Sequence, residues 1–293
     1  MSQKIKIMIL GGARENGKNM YAVQVEDEIF IMDAGLKYPD SSLLGIDVVI
    51  PDLDFFRDYG DKIAGIFLTH GHADSIGALP YILRDYDIPV FGSKLTIELA
   101  KIAVQRENRR RKNDLFHVID ADTEIEFKNA NVSFFKTTHS IPDSLGIDIS
   151  TKEGEIVYTG DFKFDQSAEK GYRTDFVRLS EIAQKGVLAL LSDSTNAEAN
   201  FPNDRQTSIE KYIFNIFENY NGRIIAAAKA SNIVRVQEIF QAAAATGRHV
   251  FLTGRDAGKI VYTAMKLGYL NVPKGLLVHS KDLKKIPDKE LVI

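Results

Sequence analysis

Four short apolar runs of β-strand type each end directly in polar residues that can bind a metal or form hydrogen bonds. This feature restricts the fold more than any other in the sequence, because a rigid sheet holds reactive side chains on the loops that follow its strands. We therefore expect the chemistry-bearing residues on such loops. The runs are Ile63–Leu68 before THGH, Val132–Lys136 before TTH, Ile156–Thr159 before GD, and Val187–Leu191 before SDST.

The HGHAD segment that begins at His70 is the densest set of candidate metal ligands. A His-x-His pair after a strand directs two imidazoles, His70 and His72, from one tight loop, and neutral imidazole nitrogens suit Zn, Mn or Fe. Asp74 adds an oxygen ligand, and later strand ends supply His139 and Asp161. Such a set can enclose one divalent ion, and a shared carboxylate is the usual bridge between two. The alternative is that each His is an ordinary loop or core residue. Three of the chain's six histidines lie at predicted strand ends and have acidic neighbours, which favours the metal site.

Composition excludes several classes of protein. The chain has 293 residues, about two domains, and no Cys, so a disulfide scaffold, a thiol nucleophile and a Cys-ligated metal are excluded. A net charge of −3 excludes a strongly cationic protein that binds nucleic acid through its overall charge. The basic run at residues 106–112 is either a solvated helix face or an RNA contact. No apolar run approaches the roughly 18 residues of a membrane span, and the N-terminus has a strand pattern rather than a secretory one. We expect a soluble, cytoplasmic protein.

The sequence after residue 203 changes to alternating helix and strand patterns, which predict a small α/β layer with parallel strands. We place the domain boundary between residues 203 and 204, where FPNDR interrupts the pattern. The final letters, KELVI, predict the start of another strand, and we expect a truncated chain because a domain rarely ends there. The helical runs lie at residues 209–220, 233–243 and 259–267, and the strand-like runs at 222–228 and 250–253.

Several motifs resemble one known family. The HGHAD segment resembles the His-x-His-x-Asp-His signature of the metallo-β-lactamase fold, and Asp33 in IMDAG resembles the first motif of that fold. His139 and Asp161 match its third and fourth motifs. Longer segments narrow the resemblance to the ribonuclease J family of the β-CASP nucleases. These segments are GGARENGKN (11–19), DAGLKYP (33–39), GIDVVIPD (45–52), FFKTTHSIPDS (134–144), TGDFKFD (159–165), LLSDSTN (190–196) and GRII…ASN (222–232).

The resemblance implies an α/β fold in which an αββα metallo-β-lactamase sandwich, residues 1–203, is followed by the N-terminal part of a β-CASP α/β domain, residues 204–293. It also implies a metal-dependent ribonuclease that acts on single-stranded RNA at 5′ ends and internally. Zn or Mn ions activate a water and hold the scissile phosphate in such enzymes. By motif, the first ion belongs to His70, His72, His139 and Asp161, and the second to Asp74 and Asp161.

The resemblance gives roles to further residues. Asp74 is implied to orient or deprotonate the attacking water, and Asp33 to order the loop behind the ligands. Asp193 in SDST resembles an acidic β-CASP motif that supports a downstream histidine. Ser231 and Asn232 lie between a strand and a helix, where backbone N–H groups attract phosphate, and the alternative is a plain helix cap.

Ser75 departs from the family pattern, which has a second-ion histidine directly after the motif aspartate. A neutral hydroxyl replaces imidazole poorly, so we expect one Zn or Mn ion rather than two. This pattern resembles the degenerate second ribonuclease J paralogue that some Gram-positive bacteria carry beside an active one. The resemblance implies an oligomeric subunit in RNA processing and decay, weak or inactive alone and partnered by the active paralogue. A fully active exo- and endoribonuclease and a non-catalytic structural or RNA-binding subunit are the alternatives.

Overall fold

A computed structural model of the chain describes residues 2–107, 113–165, 172–198 and 205–293. Its contacts divide the chain into two units. The first unit comprises Met1–His139 and Asp143–Thr195, and the second comprises Ser140–Pro142 and Asn196–Ile293. The predicted boundary between residues 203 and 204 lies outside the described residues, as do residues 108–112 of the basic run.

Two β-sheets form the centre of the first unit. The first sheet has the order β1-β2-β3-β4-β5-β6, antiparallel from β1 to β3 and parallel from β3 to β6, where the strands are β1 Ile5–Gly11, β2 Met20–Val25, β3 Glu28–Met32, β4 Ile63–Phe67, β5 Val90–Gly92 and β6 Phe116–Val118. The second sheet has the order β11-β10-β9-β8-β7, where the strands are β7 Glu124–Glu126, β8 Asn131–Lys136, β9 Leu145–Thr151, β10 Gly154–Tyr158 and β11 Val187–Leu191. Its pairs are antiparallel except for the parallel pair of β10 and β11.

The two sheets share a buried apolar core. Phe30 and Phe67 of the first sheet and Phe134 and Ile147 of the second belong to one cluster. Alternate side chains of a strand point to opposite faces. In β3, Ile31 is fully buried although it lies outside this cluster, so the outer face of the first sheet is covered as well.

Helices cover the outer faces of both sheets. In the described part of the first unit they are α1 Asp54–Tyr59, α2 Ala73–Ile76, α3 Leu79–Asp85, α4 Lys94–Glu107 and α5 Phe176–Lys185. Helix α4 packs beside β5 and β6 of the first sheet. On the second sheet, Ile182 of α5 packs against Phe135 and Val157. The predicted αββα sandwich is confirmed.

The second unit contains helices α6 Arg205–Asn219, α7 Ile233–Ala245 and α8 Ala257–Lys266, and a parallel pair of short strands, β12 His249–Val250 and β13 Leu291–Val292. The predicted parallel arrangement and the strand start in KELVI are therefore found. The predicted strand at residues 222–228 is wrong. That segment makes one parallel bridge, Ile224 with Val292, and Ile225 is 77% exposed. Among the described residues, none of the helices has the length and apolar character needed to cross a membrane.

Candidate metal centre

The ends of three strands and one short helix supply the candidate ligands. His70 and His72 follow β4, and His72 directly precedes α2. Asp74 lies in the first turn of α2, His139 follows β8, and Asp161 follows β10. The candidate ligands therefore follow strands of both sheets, and all of them lie in the first unit.

The imidazole rings of the three histidines lie next to one another. The ring centroids of His70, His72 and His139 lie 4.7 to 4.9 Å apart, with interplanar angles of 68° to 85°. His139 Nε2 lies 3.1 Å from His72 Nδ1. Two nitrogens that each bind one ion at about 2.1 Å are about 3.0 Å apart at a right angle and about 3.4 Å apart at a tetrahedral angle. The arrangement therefore fits three nitrogens on one divalent ion.

The two carboxylates lie beside these nitrogens. His70 Nε2 is 3.7 Å from Asp74 Oδ1 and 3.9 Å from Asp161 Oδ2, which is itself 4.0 Å from His139 Nε2. Asp74 Oδ1 is buried with no hydrogen-bond donor among the described residues. A buried carboxylate oxygen without a donor is unfavourable unless a cation lies against it. His70, Asp74 and Asp161 thus form a second possible ligand group, which shares His70 with the first.

The protonation state of His139 also suits metal binding. Burial, and after it the neighbouring His70 and His72, lower the pKa of His139 to about 2. The imidazole is therefore neutral at physiological pH and has a lone pair to offer a cation.

Asp33 lies behind the candidate ligands and is fully buried at the end of β3. Its carboxylate accepts hydrogen bonds from Thr69 N at 2.8 Å, from Thr69 Oγ1 at 2.8 Å and from Tyr158 OH at 2.9 Å. Burial raises the pKa of Asp33 to about 7, although these three bonds act in the opposite direction. Because Thr69 adjoins His70, Asp33 fixes the start of the HGHAD loop.

Backbone hydrogen bonds join the segment after Asp33 to helix α2. Ala34 N donates to Ser75 O at 2.8 Å, and Leu36 N donates to Ala73 O at 2.9 Å. Gly35 lies between them, and a Cβ atom there would lie 1.6 Å from the carbonyl oxygen of Asp74. Only glycine permits this approach of the two backbones.

Ser75, which directly follows Asp74, is fully buried. Its Oγ lies 3.3 Å from His70 Nδ1, and Thr69 Oγ1 lies 2.9 Å from the same nitrogen. No role for Thr69 or Tyr158 is predicted from the sequence. Thr69 could have been noticed because it directly precedes His70 at a strand end, whereas nothing in the sequence connects Tyr158 with Asp33.

Comparison with known proteins identifies the family. The family model described as "Metallo-beta-lactamase superfamily" matches residues 13–211. The chain belongs to this superfamily. A second model, "Ribonuclease J, beta-CASP domain", matches residues 221–293. The predicted ribonuclease J-type chain, with a β-CASP region after a metallo-β-lactamase domain, is confirmed.

Curated relatives named "Ribonuclease J 2" are similar over almost the whole chain. The relative from Streptococcus pyogenes is 54% identical over 290 residues, which are 99% of this chain and 52% of that protein. Relatives from Staphylococcus epidermidis and Staphylococcus aureus are 45% and 44% identical over 292 residues, 100% of this chain and 52% of each protein. The chain therefore spans about half the length of the curated relatives it matches.

A solved structure shares the fold. A crystal structure of a protein of unknown function from Enterococcus faecalis superposes with a TM-score of 0.68 at 15% sequence identity, covering 100% of this chain and 77% of that one. Membership of the metallo-β-lactamase superfamily implies binding of a divalent metal, and His70, His72 and His139 are a possible site for it.

Asp193 lies on the wall of a pocket in the metallo-β-lactamase unit. The pocket has a volume of about 630 Å³ and is also lined by Asp161, Tyr21 and residues 12–17. The Asp193 backbone N–H donates to Thr159 Oγ1 at 3.1 Å, and its carboxylate accepts from the backbone N–H of Thr195 at 2.7 Å. The structure therefore brings Asp193 and Asp161 to one pocket.

Ser231 and Asn232 belong to the second unit. Asn232 is the N-cap of α7, because its side chain accepts a hydrogen bond from Arg235 N at 3.0 Å. The capping alternative is thus found for Asn232. A phosphate contact by either residue stays a prediction.

Proposed function

We propose that this ribonuclease J-type protein acts on single-stranded RNA in the cytoplasm as a partner subunit of an active ribonuclease J paralogue, in RNA processing and decay. Its own hydrolysis of phosphodiester bonds is weak or absent. One observation carries the proposal: His70, His72, His139 and Asp161 lie together, whereas the residue directly after Asp74 is a buried serine rather than a histidine. The name "Ribonuclease J 2" of relatives at 44–54% identity supports the ribonuclease J part of the proposal.

The residues of the site suggest how the reaction would be organised. His70, His72, His139 and Asp161 would hold one Zn or Mn ion, which supplies a water of lowered pKa and positive charge for the phosphate. Asp74, whose Oδ1 lacks a donor among the described residues, would orient that water and accept its proton. Asp193, which lines the same pocket as Asp161, would support the site from the end of β11.

The serine at position 75, in place of a histidine, is the reason we expect reduced activity. Hydrolytic two-metal sites stabilise both the attacking and the leaving oxygen. Loss of a direct ligand is expected to weaken binding or activity at least as much as loss of a residue behind a ligand, which costs roughly 10–100-fold. A second candidate, a fully active exo- and endoribonuclease, is favoured by the complete first ligand set.

The test uses the full-length protein with Mn and 5′-monophosphorylated single-stranded RNA, alone and mixed with the active paralogue from the same organism. His70→Ala is the control for contaminating nuclease. We expect degradation near the control level alone, and co-elution with the paralogue in size-exclusion chromatography. Clear degradation that His70→Ala abolishes would establish the fully active enzyme instead. A protein that binds no metal and degrades no RNA would be a non-catalytic subunit.

A further inference from the structure

The hydroxyl of Ser75 lies on the side of His70 that faces away from the candidate metal position. Ser75 Oγ is 3.3 Å from His70 Nδ1, whereas Asp74 and Asp161 approach His70 Nε2. The two nitrogens of an imidazole point in widely different directions. A group hydrogen-bonded to Nδ1 therefore does not occupy a coordination position at Nε2.

The hydrogen bonds around Thr69 define which nitrogen of His70 carries the proton. When the Asp33 carboxyl is ionised it can only accept, so the single hydrogen of Thr69 Oγ1 is donated to it at 2.8 Å. The contact of 2.9 Å between Thr69 Oγ1 and His70 Nδ1 therefore has His70 as its donor. This tautomer has its proton on Nδ1 and its lone pair on Nε2, the nitrogen that faces the carboxylates.

We propose that Ser75 is a positioning residue for His70. It is not merely a failed replacement for a metal ligand. Its hydroxyl shares the Nδ1 proton with Thr69 in a three-centre hydrogen bond, and the two oxygens together fix the rotation of the ring and the direction of the Nε2 lone pair. The inference rests on the proposed function, because it assumes that His70 binds the single ion.

The burial of Ser75 supports this role. Its side chain is fully buried, and a buried hydroxyl needs a hydrogen-bond partner. His70 Nδ1 provides that partner within the same loop and helix segment. The backbone of Ser75 is fixed too, because its carbonyl oxygen accepts from Ala34 N at 2.8 Å. The hydroxyl is therefore held at a defined place beside the ring.

The test measures ion affinity rather than nuclease activity. Full-length wild-type protein and Ser75→Ala are titrated with Mn²⁺, and with Zn²⁺ in competition with a chromophoric chelator. The matched control is Ser93→Ala, because Ser93 is also buried in the first unit and donates one hydrogen bond, to Thr96 Oγ1 at 2.8 Å. Ser75→Thr keeps the hydroxyl and tests for rescue.

We expect Ser75→Ala to bind the ion about 10-fold more weakly, at the lower end of the effect of residues behind a ligand, because Thr69 remains. Ser93→Ala should bind like the wild type, and Ser75→Thr should bind more tightly than Ser75→Ala because it keeps the hydroxyl. Equal affinities of Ser75→Ala and wild type would overturn the positioning role and leave the proposed function intact. A Ser75→Thr variant as weak as Ser75→Ala would also overturn it. A wild-type protein that binds no ion would overturn both.

Discussion

Replacement of Asp148 by Asn should remove a pH-dependent part of the stability of the second sheet. Asp148 of β9 and Glu155 of β10 are buried on neighbouring strands. Asp148 Oδ2 accepts from Ser133 Oγ at 3.2 Å, and Glu155 Oε1 accepts from Ser150 Oγ at 2.9 Å. Their other oxygens, Asp148 Oδ1 and Glu155 Oε2, have no donor among the described residues. Two such carboxyl groups are stable together only if they share a proton.

The pKa of Asp148 gives the magnitude. Burial, and then the charge of Glu155, raise this pKa from 3.8 to about 7. The folded state therefore holds the proton more tightly than the unfolded state. The resulting stability is fully present below pH 3.8 and is lost as the pH rises through about 7. Because one pKa unit corresponds to about 1.4 kcal/mol, the loss between pH 5 and pH 8 is roughly 2–3 kcal/mol.

The variant Asp148→Asn replaces the shared proton by an amide N–H that can donate to Glu155 at every pH. Amide hydrogen exchange of peptides from β9 and β10, corrected for the intrinsic pH dependence of exchange, measures the opening free energy in the intact protein. We expect the stability of Asp148→Asn relative to wild type to rise by roughly 2–3 kcal/mol between pH 5 and pH 8. The control Asp122→Asn, at an exposed turn, should follow the wild type. A constant difference between Asp148→Asn and wild type across this range would refute the shared proton.

Two further predictions concern the site and the second unit. Gly35→Ala should lower the stability of the first unit by at least about 3 kcal/mol, because its Cβ would overlap the Asp74 carbonyl oxygen. The control is Gly60→Ala, whose Cβ would be 3.8 Å from the nearest atom. Its stability in thermal unfolding should stay within about 0.5 kcal/mol of the wild type. Equal melting temperatures for these two variants would contradict the close approach. Asn232→Ala should lower stability by about 1 kcal/mol through loss of the helix cap. Asn232→Asp keeps the cap but repels phosphate. A fluorescence anisotropy titration of Asn232→Asp should therefore show weaker binding of 5′-monophosphorylated RNA than that of the wild type. Binding of RNA by Asn232→Asp as tight as by wild type would leave Asn232 with its cap alone.

The sequence was informative where the signal is local. Each of the four apolar runs is a strand, β4, β8, β10 and β11, and the polar letters after them lie at strand ends as expected. The HGHAD spacing alone predicts two imidazoles and a carboxylate on one loop. His139 and Asp161 were found because each directly follows such a strand, and the fold then brings their atoms within 4.0 Å of one another.

Contacts between distant segments could not be predicted. Tyr158 and Asp33 are 125 residues apart, and only the packing of the two sheets brings the hydroxyl to the carboxylate. Asp148 would be expected at the surface of a half-buried strand, yet helix α5 covers that face. The error at residues 222–228 has a related cause. Their apolar composition suits a buried strand, but the backbone pairing with residues 291–293 is confined to Ile224 and Ala226, and Ile225 is exposed.

The position of the candidate ligands along the chain has a consequence for biosynthesis. The last of them is Asp161, and both sheets are complete at Leu191. Domains fold as they emerge from the ribosome, N-terminal part first. All five candidate ligands are therefore synthesised before residues 196–293, which make up most of the second unit. The candidate ligands can therefore come together on the nascent chain while most of the second unit is still to be synthesised.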